Sequence, residues 1–515
     1  MGDVPDVGRT TSDYRHVVRS SHACGAGQRA PGGAWGRPRL SGRRWQNGTV
    51  RLAVALAFAD ASIVVLALPE VVVRLHTSIS HVPWVIMSYN LALVVTAAAV
   101  IPVARRVASP RALITGLALF GLASIGCGAA DSMSVLVLLR AVQGVGGGLL
   151  LCASLPVFAG TARPGESPFV GWSAAAAIGM AVGPAAGGVL TQVFDWRAIF
   201  FAQAPVAALG VILVRAGHLR SAQTAASEPD ASEHLRSLLD PRAANAGLAL
   251  LSAGLIGALF LVVLALINVW LLRPIAAAAV VSTLPLATAG AERAARGRSP
   301  IAAGAAGAAL VAAGLVGLSL LTHGQFGWVV VMLALVGTGL GLAFPPLTAA
   351  ALHGGGPATA RAAKTVAARD AGIIVGLLVL TPIFVNQLDK ASDQALPAGT
   401  TAVLSAPIPD SLKSSLAPGL LADYRRTPEG ELPDFGPTFA RVSIHATRQQ
   451  RAALSDLHRH LDSIVQRATT DAFRVPLRYG AIFALLVLPL LSVRLVHGRR
   501  RREKVPWLRS PREGH

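Results

Sequence analysis

Long apolar stretches separated by short polar turns fill most of this chain between residues 52 and 386. An α-helix rises about 1.5 Å per residue, so about 20 apolar residues cross the hydrocarbon core of a bilayer. Stretches of roughly that length fall at 52–73, 84–104, 111–130, 133–158, 169–193 and 197–215. Six more fall at 246–271, 274–291, 300–321, 327–350, 365–386 and 476–497. The pattern predicts an all-α polytopic membrane protein of about twelve transmembrane helices in two bundles of six.

The polar remainder divides the chain. Residues 1–49 lack an apolar core and are rich in Gly, Arg and Ser, which predicts a disordered basic tail without a cleavable signal peptide, helix 1 acting as an uncleaved anchor. An N-terminal bundle over 50–215, a mixed-charge linker at 216–245 and a C-terminal bundle over 246–497 follow, then a basic tail at 498–515. Residues 387–475 form a large polar insertion in the second bundle, expected on the extracytoplasmic side. Their first half, rich in Pro, Ser, Gly and Asp, reads as a loop or part of a small cap. Over 438–473 the spacing of Val442, Leu454, Leu457, Leu461, Ile464 and Val465 predicts a helix.

Charge orients this layout. Arg37, Arg39, Arg43, Arg44 and Arg51 precede the first span, and Arg105, Arg106 and Arg111 lie between the second and third. Arg293, Arg296 and Arg298, then Arg361, Lys364 and Arg369, then the run 499–502 follow at even-to-odd turns and at the end. All fall on one side of a twelve-helix chain, whereas Arg74, Arg197 and Arg273 stand alone on the other. Basic clusters mark the cytoplasmic side, so both termini are expected there. Trp84, Trp172, Trp196, Trp270 and Trp328 lie near span ends, where headgroup-level indoles are expected.

Composition agrees. Only 14% of residues are charged, against about a quarter in soluble domains. The net charge of +20 is gathered in the clusters and the tails, so a nucleic-acid partner is not expected. Cys24, Cys127 and Cys152 have no metal or disulfide spacing. There is no P-loop, His–Glu metal spacing or nucleophile elbow, which argues against ATP-driven transport, a cofactor and an enzyme.

Four motifs carry a resemblance. They are FADASIVVLALPEV (58–71), LLRAVQGVGGGLL (138–150) with Arg140, Gln143 and Gly144, GMAVGPAAGG (179–188) and DWRAIFFAQAP (195–205). In that order and on those spans they resemble the drug:proton antiporter branch of the major facilitator superfamily. The second half resembles it more loosely, through PLATAGAERAARGR (285–298), similar to a second gate motif, and GTGLGLAFPPLTAAAL (337–352). The resemblance implies a major facilitator fold and a cavity open to alternate sides, with proton-coupled efflux of amphipathic or hydrophobic small molecules. It implies gate roles for Arg105, Arg106, Arg111, Gly290, Arg296, Gly297 and Arg298. The first gate motif, PVARRVASPRALITG (102–116), keeps its basic residues but lacks the family's aspartate.

Physical reading of the residues runs beside this. Asp60 lies nine residues after Arg51, roughly 13 Å into the bilayer. A carboxylate at that depth is costly and by default functional, here as a proton carrier, with helix packing as the alternative. Arg140 is the other deep charge. The resemblance implies that it faces the cavity, while an ion pair with Asp60 is the structural alternative. Gly179, Gly183 and Gly187 recur every four residues and open a face for close helix packing, Gly188 follows, and Pro184 bends the helix. Arg369 and Asp370 are expected to pair at the cytoplasmic interface. The expected partners are a small-molecule substrate, protons and lipid, and a monomer is expected. Two other functions fit the same sequence: a dedicated exporter of an endogenous lipid or secondary metabolite, and a non-transporting scaffold or sensor.

Overall fold

The computed structural model describes residues 40–161, 168–216, 239–295, 298–322, 324–353, 355–426, 433–444 and 446–491. Cys24, Arg296, Gly297, residues 492–515 and most of the tail 1–49 and linker 216–245 lie outside the described residues.

Among the described residues all regular structure is helical. The first half contains α1 (Leu40–Arg74), α2 (Trp84–Val100), the short α3 (Ala104–Val107), α4 (Pro110–Gly128), α5 (Met133–Thr161), α6 (Pro168–Val193) and α7 (Ala198–Ala216). In the second half α8 (Pro241–Leu264) runs on as a π-helical turn at Ala265–Val269. It is followed by α9 (Pro274–Ala295), α10 (Pro300–Leu318), α11 (Phe326–Ala351) and α12 (Ala358–Ser405). After α12 come α13 (Asp410–Arg426), α14 (Gly436–Ser443), α15 (Arg448–Ala472) and α16 (Arg474–Leu485). Among the described residues ten helical runs are long and apolar enough to cross a membrane, and Trp84–Val100 and Ile178–Val193 are shorter apolar helices, making twelve in all.

Local chemistry sets several starts. Pro110, Pro241 and Pro300 occupy the first helical position, where a missing N–H costs nothing. Ser109 and Asp240 cap their helices, accepting from Ala112 N at 3.2 Å and Arg242 N at 2.9 Å.

The two halves repeat one packing plan, and small residues make it possible where lipid gives helices no hydrophobic reason to associate. A methyl on Gly179 of α6 would meet the Ala55 carbonyl of α1 at 2.2 Å, and one on Gly372 of α12 would meet the Ala249 carbonyl of α8 at 2.0 Å. Gly144 of α5 lies against the Tyr89 carbonyl of α2 in the same way that Gly337 of α11 lies against the Leu284 carbonyl of α9. The halves meet where α12 packs on α2 and α5, with Ala363 against Cys152, and where α6 packs on α9.

Several boundaries differ from the sequence reading. α12 begins at Ala358, directly after Pro357, and continues through Pro397 to Ser405. Most of the described part of 387–437 is therefore helical where a loop was one expectation. Thr400 and Thr401 hydroxyls bond to the carbonyls of Leu396 and Pro397, both at 2.9 Å, and α15 packs along this extension. α13, α14 and α15 complete a helical cap around Leu416, Phe439, Leu454, Leu457 and Leu461. Over 438–473 the expected helix is broken by a new start at Thr447, whose side chain forms a capping box with Gln450. Trp84 and Trp328 are exposed, but Trp172 and Trp196 are buried. The Trp172 indole donates to Ser154 Oγ at 2.9 Å and meets Phe58 edge-on, a core position and not a headgroup one.

Candidate functional site

Asp60 lies midway along α1, fully buried. Arg140 Nη1 donates to its Oδ1 at 2.9 Å and its Oδ2 at 2.8 Å. Gln203 Nε2 of α7 adds a hydrogen bond to Oδ1 at 3.0 Å, and Gln143 Nε2 approaches the same oxygen at 3.4 Å. Gln143 Oε1 accepts from Arg140 Nη1 at 2.7 Å, while its amide donates to Ser124 Oγ and Gln203 Oε1, both at 2.8 Å. The Arg140 Nε–H donates to the Val85 carbonyl at 3.0 Å, and its guanidinium lies 4.4 Å over the Tyr89 ring. Five helices, α1, α2, α4, α5 and α7, thus join one hydrogen-bonded network around this carboxylate. A buried ion pair holds together only when its remaining hydrogen-bonding capacity is met, and here the two glutamines meet it.

The structure turns Arg140 away from the central cavity, contrary to what the resemblance implies. The face of α5 that carries it points into the N-terminal bundle, where Asp60 neutralises it. Gly144, one turn on, keeps α2 close enough for this arrangement.

Between the halves lies an apolar cavity of about 150 Å³. Phe58, Ser62, Trp172 and Met180 form its N-terminal wall, and Leu255, Leu284, Phe344 and Ile373 are among the side chains opposite. Pro184 lines it as well. Gly183 and Gly187 pack on α1 beside Ser62 and Ile63, whereas Gly188 faces Ala278 of α9 in the other half. Close to that contact the Ile275 N–H donates to Gln192 Oε1 at 2.9 Å. On the opposite side of the cavity Ala358, Ala362 and Val366 pack with Val54, Leu151 and Trp172. Contacts between the halves therefore flank the cavity on both sides.

Two charged residues reach this cavity, Glu292 and Arg369. The Arg369 guanidinium sits 4.2 Å over the Phe58 ring, and its Nη2 donates to Asp370 Oδ1 at 2.9 Å. Asp370 is fully buried, and its Oδ2 has no hydrogen-bond partner among the described residues. This corrects the interfacial placement expected for the pair. α12 starts seven residues before the span read from the sequence, which puts Asp370 about three turns inside the helix.

Among the described residues, the gate-motif side chains are not drawn into either site. Arg105, Arg106, Arg111 and Arg298 are exposed, and a methyl on Gly290 would meet nothing within 4 Å. Sequence reasoning missed Gln203, Arg369 and Glu292 as site residues. Gln203 had a signal: it is a polar residue within the apolar run of α7, inside the motif at 195–205.

The family model of the Major Facilitator Superfamily matches residues 51–377. Over 165 residues the chain is 33% identical to the multidrug resistance protein Stp of Mycobacterium tuberculosis (strain CDC 1551 / Oshkosh), covering 32% of this chain and 31% of that one. Over 170 residues it is 32% identical to the tetracenomycin C resistance and export protein of Streptomyces glaucescens, covering 32% of each. The chain thus spans about a third of the length of these relatives. A bacterial homologue of the human lysosomal transporter Spinster, inward-facing and occupied, superposes with a TM-score of 0.57 at 14% identity, over 87% of this chain and 97% of that one. The xylose transporter XylE of E. coli, partially occluded and inward open, gives 0.53 at 13% identity over 66% and 91%. At that identity both speak to the fold alone. Two six-helix halves around a shared cavity and a family match over most of the membrane-embedded chain agree: this multi-pass membrane protein belongs to the Major Facilitator Superfamily.

Proposed function

We propose that the chain is a secondary active exporter that exchanges protons for amphipathic or hydrophobic small molecules, with both termini in the cytoplasm. The observation that carries this reading is the buried Asp60–Arg140–Gln143–Gln203 network, one helix away from an apolar cavity shared by both halves. A carboxylate deep in a membrane protein is costly unless partnered, and such residues mark proton and ion pathways. Asp60 is the proton carrier in this scheme and Arg140 the residue that competes with the proton. Gln143 and Gln203 position the two.

The cavity supports the substrate class. Its wall is mainly hydrocarbon and aromatic, with Arg369 and Glu292 as the charges within reach, which suits loosely held amphipathic molecules better than a sugar. Movement of the halves about α6, whose glycines touch both α1 and α9, opens the cavity to alternate sides. The resistance and export names of the relatives point the same way. The bundles over 50–215 and 246–497, the linker at 216–245 and the external position of 387–475 are part of this proposal, as is a gate role for the exposed arginines.

The test uses inverted membrane vesicles energised by a proton gradient, with a fluorescent lipophilic dye added to the outside medium. Wild-type protein should accumulate the dye and release protons in exchange, and Asp60→Asn should do neither while remaining folded. Gradient-driven accumulation undiminished in Asp60→Asn refutes the assignment.

A further inference from the structure

The helical cap holds a cavity of its own, of about 290 Å³. Its walls come from the extension of α12, from α13 and from the second half of α15. Most of the lining is apolar. Thr400 and Thr469 turn their hydroxyls back to their own helix, to the carbonyls of Leu396 and Val465, and present methyl groups to the space. Gly399 faces the cavity, with only Leu461 Cδ2, at 3.6 Å, near a methyl placed there. Helical interiors rarely keep a void of this size, and water gains little in one that offers it so few polar partners.

The opening shows what the space is suited to hold. Leu396, Leu404 and Leu421 line the cavity yet are 41%, 67% and 39% exposed, so its mouth is a ring of leucine facing outward. Exposed leucines around an apolar hollow mark a surface completed by something apolar. One edge of the mouth is polar. The Tyr424 hydroxyl donates to Asp393 Oδ1 at 3.0 Å, and Asp389 lies close enough to act on the same hydroxyl. An anionic head is disfavoured there and a cationic head is favoured. The volume is at the small end of ligand pockets, which fits one hydrocarbon chain and not the two of a phospholipid.

We propose that the cap is a second binding site, which takes the hydrocarbon chain of a single-chain amphipathic amine between α12, α13 and α15, with its head at Asp393 and Tyr424. The site is separate from the central cavity, and its occupancy does not depend on proton-coupled export being the correct reading. Its lower wall, Ala468 and Thr469, ends one turn above Phe473, which packs on Phe384 at the end of the membrane bundle. A molecule in the cap therefore sits directly above the bundle.

Full-length protein in phosphatidylcholine nanodiscs is photolabelled with a diazirine-bearing dodecylamine and, in parallel, with the matching fatty acid and a diazirine phosphatidylcholine. Labelled peptides are mapped by mass spectrometry. The amine should label residues 392–404 and 461–469 at least several-fold more than the fatty acid does. Gly399→Phe should fill the cavity and lower that labelling about tenfold, with an unchanged thermal midpoint confirming the fold. Asp393→Asn, a surface change, should weaken labelling by the amine and leave labelling by an uncharged alkyl diazirine intact. Cap labelling by phosphatidylcholine alone, labelling confined to the membrane helices, or cap labelling that survives Gly399→Phe overturns the proposal.

Discussion

Replacing Arg140 with methionine keeps much of the side chain's apolar volume and removes its charge, leaving Asp60 buried against two glutamine amides. At 2.8 Å separation and an effective dielectric constant near 20, the lost attraction is about 6 kcal/mol before solvation is counted. Breaking one partner out of a buried pair has a net cost of about 3–5 kcal/mol, because the other charge stays behind. Asp60→Asn alone strands the guanidinium and should also destabilise. The double variant Asp60→Asn/Arg140→Met carries no charge, and its loss should fall short of the summed single losses by about 2 kcal/mol or more. Thermal unfolding of the four purified proteins in one detergent, followed by intrinsic tryptophan fluorescence, gives the comparison. Vesicle transport measured on the same four separates packing from coupling: the double variant should regain stability without regaining proton-driven uptake. Additive losses, or an Arg140→Met protein as stable as wild type, would show that the pair is not the energetic centre of the N-terminal bundle.

Gly144→Ala puts a methyl 2.2 Å from the Tyr89 carbonyl and should cost about 1–3 kcal/mol in the same unfolding assay as α2 and α5 are pushed apart. Gly290→Ala, with nothing within 4 Å, should leave stability unchanged or raise it by about 0.4–1 kcal/mol. Arg369→Gln removes a cation stacked on Phe58 at the cavity wall, a contact of about 0.5–2 kcal/mol. It should shift dye affinity several-fold and reorder the compounds exported, read by fluorescence titration and resistance spectrum, and an unchanged spectrum counts against a cavity role. The Tyr424 hydroxyl is pushed up from its usual value by partial burial, by its hydrogen bond to Asp393 and by the charges of Asp393 and Asp389. A group with a raised folded value stabilises fully below its unfolded value and loses that contribution as pH rises through the folded one. The cap should therefore loosen above about pH 10, and Tyr424→Phe should remove that alkaline step in an ultraviolet phenolate titration paired with circular dichroism.

Span length and charge side were legible because both are one-dimensional: a helix needs a certain run of apolar residues, and arginines gather at alternate turns. Asp60 and Arg140 were legible for a similar reason, since any charge within such a run demands a partner. What the sequence does not carry is rotation about the helix axis. Arg140 was expected at the cavity, yet the face that bears it looks into the N-terminal bundle, and nothing within α5 itself distinguishes the two directions. Depth was misread at Asp370 because the two turns of helix before Thr365 contain Arg361 and Lys364 and look like a loop. In the cap, Pro397 and Gly399 resembled loop chemistry. The helix persists there because α15 packs along it, a tertiary cause invisible to local propensity.

α12 has a mechanical consequence. It is one continuous element of 48 residues, about 72 Å long, that begins against the N-terminal half, passes the cavity at Arg369 and ends inside the cap. Such an element acts as a lever whose fulcrum is near the cavity. A small tilt of its buried end becomes a larger sideways sweep at its far end, shared with α15 alongside it. Pro382 and Pro397, each lacking a backbone donor, are the joints at which that lever can yield.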